Sequence, residues 1–149
     1  AMDAGADRVI IGTAAVESPD ILGSICAKWG PDRVAVSIDV RDGYVATHGW
    51  THTSGLSLME VIENVIATGV RRIVYTDITR DGTLTEPNFG VIQDLVALDG
   101  IKLLVAGGVA TMLHLTKLSQ IGVESAIVGT AAYTDDINMA HAFKKFKIR

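Results

Sequence analysis

A short segment of this chain is written twice. Gly5–Ala15 (GADRVIIGTAA) aligns with Gly122–Ala132 (GVESAIVGTAA), pairing Gly12 with Gly129 and Thr13 with Thr130 at an offset of 117 residues. Each copy is an apolar run ending in Gly-Thr-Ala-Ala. Two unrelated strands of similar composition would give such a match, since small residues often end strands. Duplication of a unit of about 117 residues gives it too, and constrains the fold far more, because self-similarity at a fixed period reports architecture.

The rest of the chain fills that unit. Five short apolar runs recur: Arg8–Gly12, Val34–Asp39, Arg72–Asp77, Lys102–Gly107 and Ser125–Gly129. Each is too short for a helix and rich in β-branched residues, so each reads as a buried strand. Their starts lie about 23 to 38 residues apart, the size of a strand–helix unit with its loops. Helix signals occupy the gaps. Ser18-Pro19 offers a cap and a first-turn proline before Asp20–Trp29. Ser57 and Glu60 form a capping box opening a helix that stops at Gly69. Asn88 caps Phe89–Leu98, and Thr111 caps a helix to Gln120. A last helix covers Asp136–Phe146, with Lys144, Lys145, Lys147 and Arg149 at its negative end.

Strict alternation of strand and helix predicts a parallel sheet with right-handed crossovers. Periodicity leaves a doubly wound sheet or a (β/α)8 barrel. Four units of about 30 residues match the repeat offset and make half of an eight-unit barrel. The expectation is an α/β chain, a partial (β/α)8 barrel of about five units. Residues 1–149 would form a single domain, the C-terminal three-fifths of a barrel of roughly 250 residues. Five strands do not close a barrel, so open edges predict self-association or a complementary N-terminal half as partner.

Composition excludes several function classes. Hydrophobic residues make up 48% and charged residues 20%, enough for a packed core. A net charge of −4 gives no basic footprint for nucleic acid. No apolar run approaches the roughly 20 residues that span a bilayer, and no secretory signal opens the chain. One cysteine, Cys26, leaves no intramolecular disulfide and no cysteine-based zinc site, and points to a reducing, cytoplasmic compartment. It reads as a core residue of its helix. His48, His52, His114 and His141 show no metal spacing; His48 and His52 fall in a loop.

Chemistry in a parallel α/β chain gathers at the C-terminal strand ends. Here those ends carry Gly12-Thr13, Asp39, Thr76-Asp77, Gly107-Gly108 and Gly129-Thr130. Gly107-Gly108 and Gly129-Thr130 end consecutive strands, where glycine lets backbone N–H groups approach an anion closely. A phosphate site and plain tight turns are the two readings. Asp39 closes a strand whose Val34, Ala35, Val36 and Ile38 are apolar, either as a general acid or base or as a turn cap or partner of Arg41. Asp81 precedes Gly82 and reads equally as a turn residue. Trp50 follows Gly49 in the loop after Asp39, either as a ring for stacking on a planar heterocycle or as an anchor for the loop.

At these residues the chain resembles the phosphoribosylformimino-5-aminoimidazole carboxamide ribotide isomerases of histidine biosynthesis. The matching pieces are Ala4–Val16, Ser37–Arg41, Gly49-Trp50, Thr76–Leu84, Ala106–Val109 and Ile127–Ala131, in family order over essentially the whole chain. The sister cyclase shares the half-barrel duplication, but the Gly49-Trp50 and Thr76-Asp-Ile-Thr context looks more like the isomerase. The resemblance implies a (β/α)8 barrel and an Amadori rearrangement of an aminoaldose to an aminoketose on a small phosphosugar substrate. Two aspartates in opposite barrel halves divide the proton transfers in that family. Asp39 matches the second and takes the general-acid role. Thr76 matches a hydroxyl that orients the sugar, Asp81 a substrate-contacting acid, and Trp50 a ring that stacks on the imidazole. Gly107, Gly108, Gly129 and Thr130 match one phosphate site; Gly12 and Thr13 match part of the other. No metal or organic cofactor is implied. The chain departs from the pattern in having no counterpart of the first strand with its aspartate. Ala110–His114 replaces a run of small and acidic residues, and Thr130 stands where many relatives have a basic residue.

Overall fold

The computed structural model describes residues 1–146. Its strands are β1 (Val9–Ile11), β2 (Val34–Arg41), β3 (Tyr44–Thr47), β4 (His52–Ser57), β5 (Arg72–Asp77), β6 (Lys102–Ala106) and β7 (Ser125–Ala126). Its helices are α1 (Thr13–Glu17), α2 (Asp20–Trp29), α3 (Leu58–Ala67), α4 (Phe89–Val96), α5 (Met112–Ile121), α6 (Thr130–Tyr133) and α7 (Met139–Phe146). The chain is α/β, with one mostly parallel seven-stranded sheet. The parallel strands β1, β2, β5, β6 and β7 are neighbours in chain order, with no reversal of direction across the sheet.

The five apolar runs all contain strands, and β5 has the expected bounds. The expectation of strict alternation is corrected. Between β2 and α3 the chain makes two further strands, and β3 pairs antiparallel with both β2 and β4. The cause is written at Asp42-Gly43, whose φ values of 52° and 84° are both positive. That is the two-residue turn that reverses a strand with the twist of its neighbours, and Asp-Gly is its preferred sequence. His52 therefore opens a strand instead of lying in a loop.

Period-two alternation sets the two faces of the sheet. Val34, Val36, Ile38 and Val40 of β2, Ile73 and Tyr75 of β5, and Leu103 and Val105 of β6 all join the main core. Leu22, Ile62, Val65, Ile92, Leu95 and Leu118 cover them from α2, α3, α4 and α5. Ser37, Asp39 and Thr76 alternate with these core positions and project from the opposite face.

The caps explain where the helices begin. Ser57 accepts from Glu60 N–H while the Glu60 carboxylate accepts from Ser57 N–H at 2.8 Å, completing the expected box on α3. Such a cap contributes about 1 kcal/mol. Asn88 and Thr111 cap α4 and α5 as expected. Ser18 does not cap α2: Pro19 holds that position and makes no side-chain cap bond. The last helix starts at Met139, three residues later than expected. Lys144 and Lys145 lie in its final turn; Lys147 and Arg149 fall outside the described residues.

The sequence repeat is also a repeat of shape. Gly12 (φ −98°, ψ −114°) and Gly129 (φ −96°, ψ −107°) have nearly the same backbone conformation. Each is followed at once by a short helix, α1 and α6, which the apolar pattern did not announce.

Candidate active site

The C-terminal strand ends carry the candidate chemistry, and the opposite ends carry an ion network. Arg72 opens β5 and donates two bonds to the Glu124 carboxylate at 2.6 and 2.7 Å, plus one to Asp32 O at 2.9 Å. Lys102, the first residue of β6, reaches Asp32 Oδ1 at 3.2 Å. The Arg72 hydrogen bonds hold Glu124 below the usual carboxylate range against a smaller opposing effect of burial. None of these groups lies at the end that bears Asp39 or Gly107. The arrangement separates an ion-paired end from the end that bears the candidate residues.

Parallel pairing brings Asp39 and Thr76 side by side, as register partners on β2 and β5, with Ala106 next across β6. Both side chains are half-buried. The antiparallel hairpin adds a third group. β3 pairs Asp39 with Ala46, so the turn after Thr47 folds back over the end of β2. There the Trp50 indole N–H donates to Asp39 Oδ2 at 2.7 Å, and Ser37 Oγ donates to Oδ1 at 3.2 Å. Among the described residues Asp39 bonds Ser37 and Trp50, not Arg41. Trp50 is 39% exposed, but the N–H of its ring is spent on Asp39. The indole N–H occupies one of the two lone-pair positions of Oδ2.

The turn that carries Trp50 is tightly wound. His48, Gly49 and Trp50 have φ values of 53°, 61° and 72°, three successive left-handed residues. Two hydroxyls hold it: Thr51 Oγ1 donates to His48 O at 2.8 Å, and Thr13 Oγ1 accepts from His48 N–H at 3.0 Å. Thr13, expected at a phosphate, is thus engaged with the Trp50 turn. Its helix, α1, has only five residues, so it offers little dipole.

A separate recess of about 70 Å³ gathers most of the other candidates. Asp81, Gly82, Gly107, Gly108, Gly129 and Thr130 all line it, with Leu84 and Ile127 as apolar walls. The two glycines that follow β6 pack hard against the end of β5 and the loop after it. A Cβ on Gly107 would lie 2.4 Å from Asp77 O, and one on Gly108 would lie 2.7 Å from Glu86 O. Both have positive φ, 86° and 75°. Only glycine fits here, so their backbone is brought to the recess by close approach. Asp77 does not face the recess as a free acid. It is buried, and its Oδ1 accepts from both Thr79 N–H and Thr79 Oγ1. Burial and the neighbouring Asp77 push the Tyr75 phenol up to about 12, so it packs in the core as a neutral group.

Comparison with known proteins identifies the family. The model of the histidine biosynthesis protein family matches residues 1–138. The chain belongs to that family. The match includes every candidate residue named above, from Gly12 to Thr130. One relative, from Roseiflexus castenholzii, is 46% identical over 147 residues, covering 99% of this chain and 62% of its own length. A second, from Dehalococcoides mccartyi, is 50% identical over 141 residues, covering 95% and 57%. A third, from Thermomicrobium roseum, is 49% identical over 130 residues, covering 87% and 53%. Each is named 1-(5-phosphoribosyl)-5-((5-phosphoribosylamino)methylideneamino) imidazole-4-carboxamide isomerase. The chain spans about three-fifths of the length of such relatives. Among the described residues of this family member, no helix is long and apolar enough to cross a membrane.

Proposed function

We propose that this chain carries the C-terminal three-fifths of a (β/α)8-barrel isomerase acting on a bis-phosphorylated imidazole carboxamide ribotide in histidine biosynthesis. The observation that carries the reading is the pairing of Asp39 with Thr76 at one strand end, with the glycine-lined recess two strands away. The relatives' shared name supplies the reaction class. Three features support a barrel over a doubly wound sheet. The parallel strands add in chain order without a switch point. Gly12 and Gly129 repeat one conformation. Arg8, beside β1, lines a single groove with Glu124 and Ser125, although three strands separate β1 from β7. A curled sheet would bring the two ends of the parallel ladder toward each other in this way.

In the proposed reaction a proton goes to the ring oxygen as the C1–O bond breaks and C1–N becomes an iminium. Loss of the C2 proton gives an enaminol. Protonation at C1 and loss of the C2 hydroxyl proton then leave the ketone. The sum is an isomerisation with no external oxidant. Asp39 supplies the first proton, Thr76 orients the sugar, and Asp81 contacts the substrate. Trp50 stacks on the imidazole once its N–H has left Asp39. Gly107, Gly108, Gly129 and Thr130 hold one phosphate; Gly12 and Thr13 border the other.

The proton transfers at C2 and C1 need a second carboxyl, and Asp77 is already committed to Thr79 and Arg80. The 149-residue chain alone is therefore expected to bind the ribotide without turning it over. In a protein extended to the relatives' full length, Asp39→Asn should lower kcat about 100-fold. Unchanged turnover in that variant would remove Asp39 from the mechanism. Isomerisation by the 149-residue chain, lost on Asp39→Asn, would show that no second half is needed.

A second reading, self-association, rests on the uncovered sheet face. Ile10 of β1 is 58% exposed and Ile127, just past β7, is 43% exposed. Both outer strands keep one unpaired edge among the described residues. Size-exclusion chromatography is expected to show a species larger than the 15.8 kDa chain. A clean monomer would rule this out.

A further inference from the structure

Residues 78–88 join β5 to α4 and carry Asp81 and Gly82 into the recess. A side chain with no part in the proposed chemistry holds this loop at both ends. Arg80 Nε lies 3.3 Å from Asp77 Oδ2, and Arg80 Nη1 donates to Glu86 O at 2.6 Å. The other Asp77 oxygen is fixed by Thr79. The same two partners back the two glycines, since Gly107 lies against Asp77 O and Gly108 against Glu86 O. One guanidinium therefore joins the two residues on which the glycine platform rests, through the carboxylate of Asp77 and the main-chain oxygen of Glu86. We infer that Arg80 is a positioning residue: it sets the separation of Asp77 and Glu86, and thereby fixes both Asp81 and the Gly107-Gly108 backbone. Its consequence for ligand binding rests on the phosphate reading given above; its effect on the two loops does not.

Arginine suits this task because its planar fork presents several N–H donors in fixed directions. Lysine keeps the charge but concentrates it at one point, and cannot hold both partners at the same spacing. The test uses ¹⁵N-labelled 149-residue chain, as wild type, Arg80→Met and Arg80→Lys, with and without inorganic phosphate. Without ligand, the amides of 78–88 and of Gly107–Ala110 are expected to shift and lose order together in Arg80→Met. Arg80→Lys should do the same to a smaller degree, and carries the comparison alone if Arg80→Met does not fold. With phosphate, the wild type should show shifts at Gly107, Gly108, Gly129 and Thr130. Its Kd should rise at least about tenfold in Arg80→Met and several-fold in Arg80→Lys, well below the melting temperature of each variant. Gly107–Ala110 amides that stay in place without ligand would overturn the role of Arg80, as would full rescue by lysine. A wild-type chain that takes no phosphate would overturn the phosphate reading only, because the ligand-free spectra still decide the coupling of the loops.

Discussion

Gly107→Ala is expected to cost roughly 3 kcal/mol or more of unfolding free energy. Two effects add at this position. The backbone has φ +86°, where a side chain is strained whatever the space around it. The new methyl would also stand 2.4 Å from Asp77 O. That oxygen is main chain at the end of β5 and cannot turn aside as a flexible side chain would. Gly55→Ala separates the two effects, since Gly55 has φ +78° and nothing within 4 Å of its added carbon. It should cost only about 1 kcal/mol. Urea unfolding of the two variants, with unchanged slopes, gives the comparison. Equal losses would show that the collision contributes nothing and that the glycine platform is looser than its contacts indicate.

The second large effect lies at the other end of the strands. Glu124→Ala should cost about 3 kcal/mol. The Arg72 side chain is only 6% exposed and would keep a single acceptor, Asp32 O. The value sits at the low end for a broken buried pair because Glu124 keeps 34% of its side chain in water. The pair also predicts a pH dependence with a definite sign. The Arg72 hydrogen bonds depress the Glu124 carboxyl in the folded state. Its contribution is therefore complete above the unfolded value, about 4.3, and is lost as pH falls through the lower folded value. The stability gap between wild type and Glu124→Ala should be widest near neutrality and close on acidification below about pH 4. A gap that stays constant from pH 7 to pH 3 would contradict the ion-pair account.

Different parts of the molecule were legible in the sequence for different reasons. The parallel strands and their covering helices follow from β-branched runs and caps, signals that act over a few residues. Ser57 with Glu60 and Thr111 with His114 needed no tertiary information. Helices α1 and α6 were missed because five and four residues are too few to show a helical period. The hairpin was missed although Asp42-Gly43 stands between Val34–Arg41 and Tyr44–Thr47, a turn pair between apolar runs. Reading the region as a loop after Asp39 also hid the main contact of the site. Trp50 is eleven residues from Asp39, and only the register of Asp39 with Ala46 turns that distance into a 2.7 Å bond. The engagement of Thr13 with His48 bridges 35 residues and carries no local signal. Gly107 and Gly108 were recognisable as special; that they rest on Asp77 and Glu86, which Arg80 ties together, was not.

One edge of β2 is divided between two partners. β1 occupies Val34–Val36 and β3 occupies Asp39–Arg41. The candidate acid thus lies just past the point where the long-range parallel ladder ends and a locally folded hairpin takes over. The groups that fold over it are encoded within Asp39–Ser57, while Ser37 of β2 and Thr76 of β5 flank it from the ladder itself. This short stretch of sequence can vary while the five-strand ladder below it stays constant. Substitutions in the His48–Thr51 turn, which lies outside the core, would alter what sits over the acid without touching the parallel ladder that supports it. In such a layout selection can adjust substrate preference and structural stability almost independently, on two separate sets of residues.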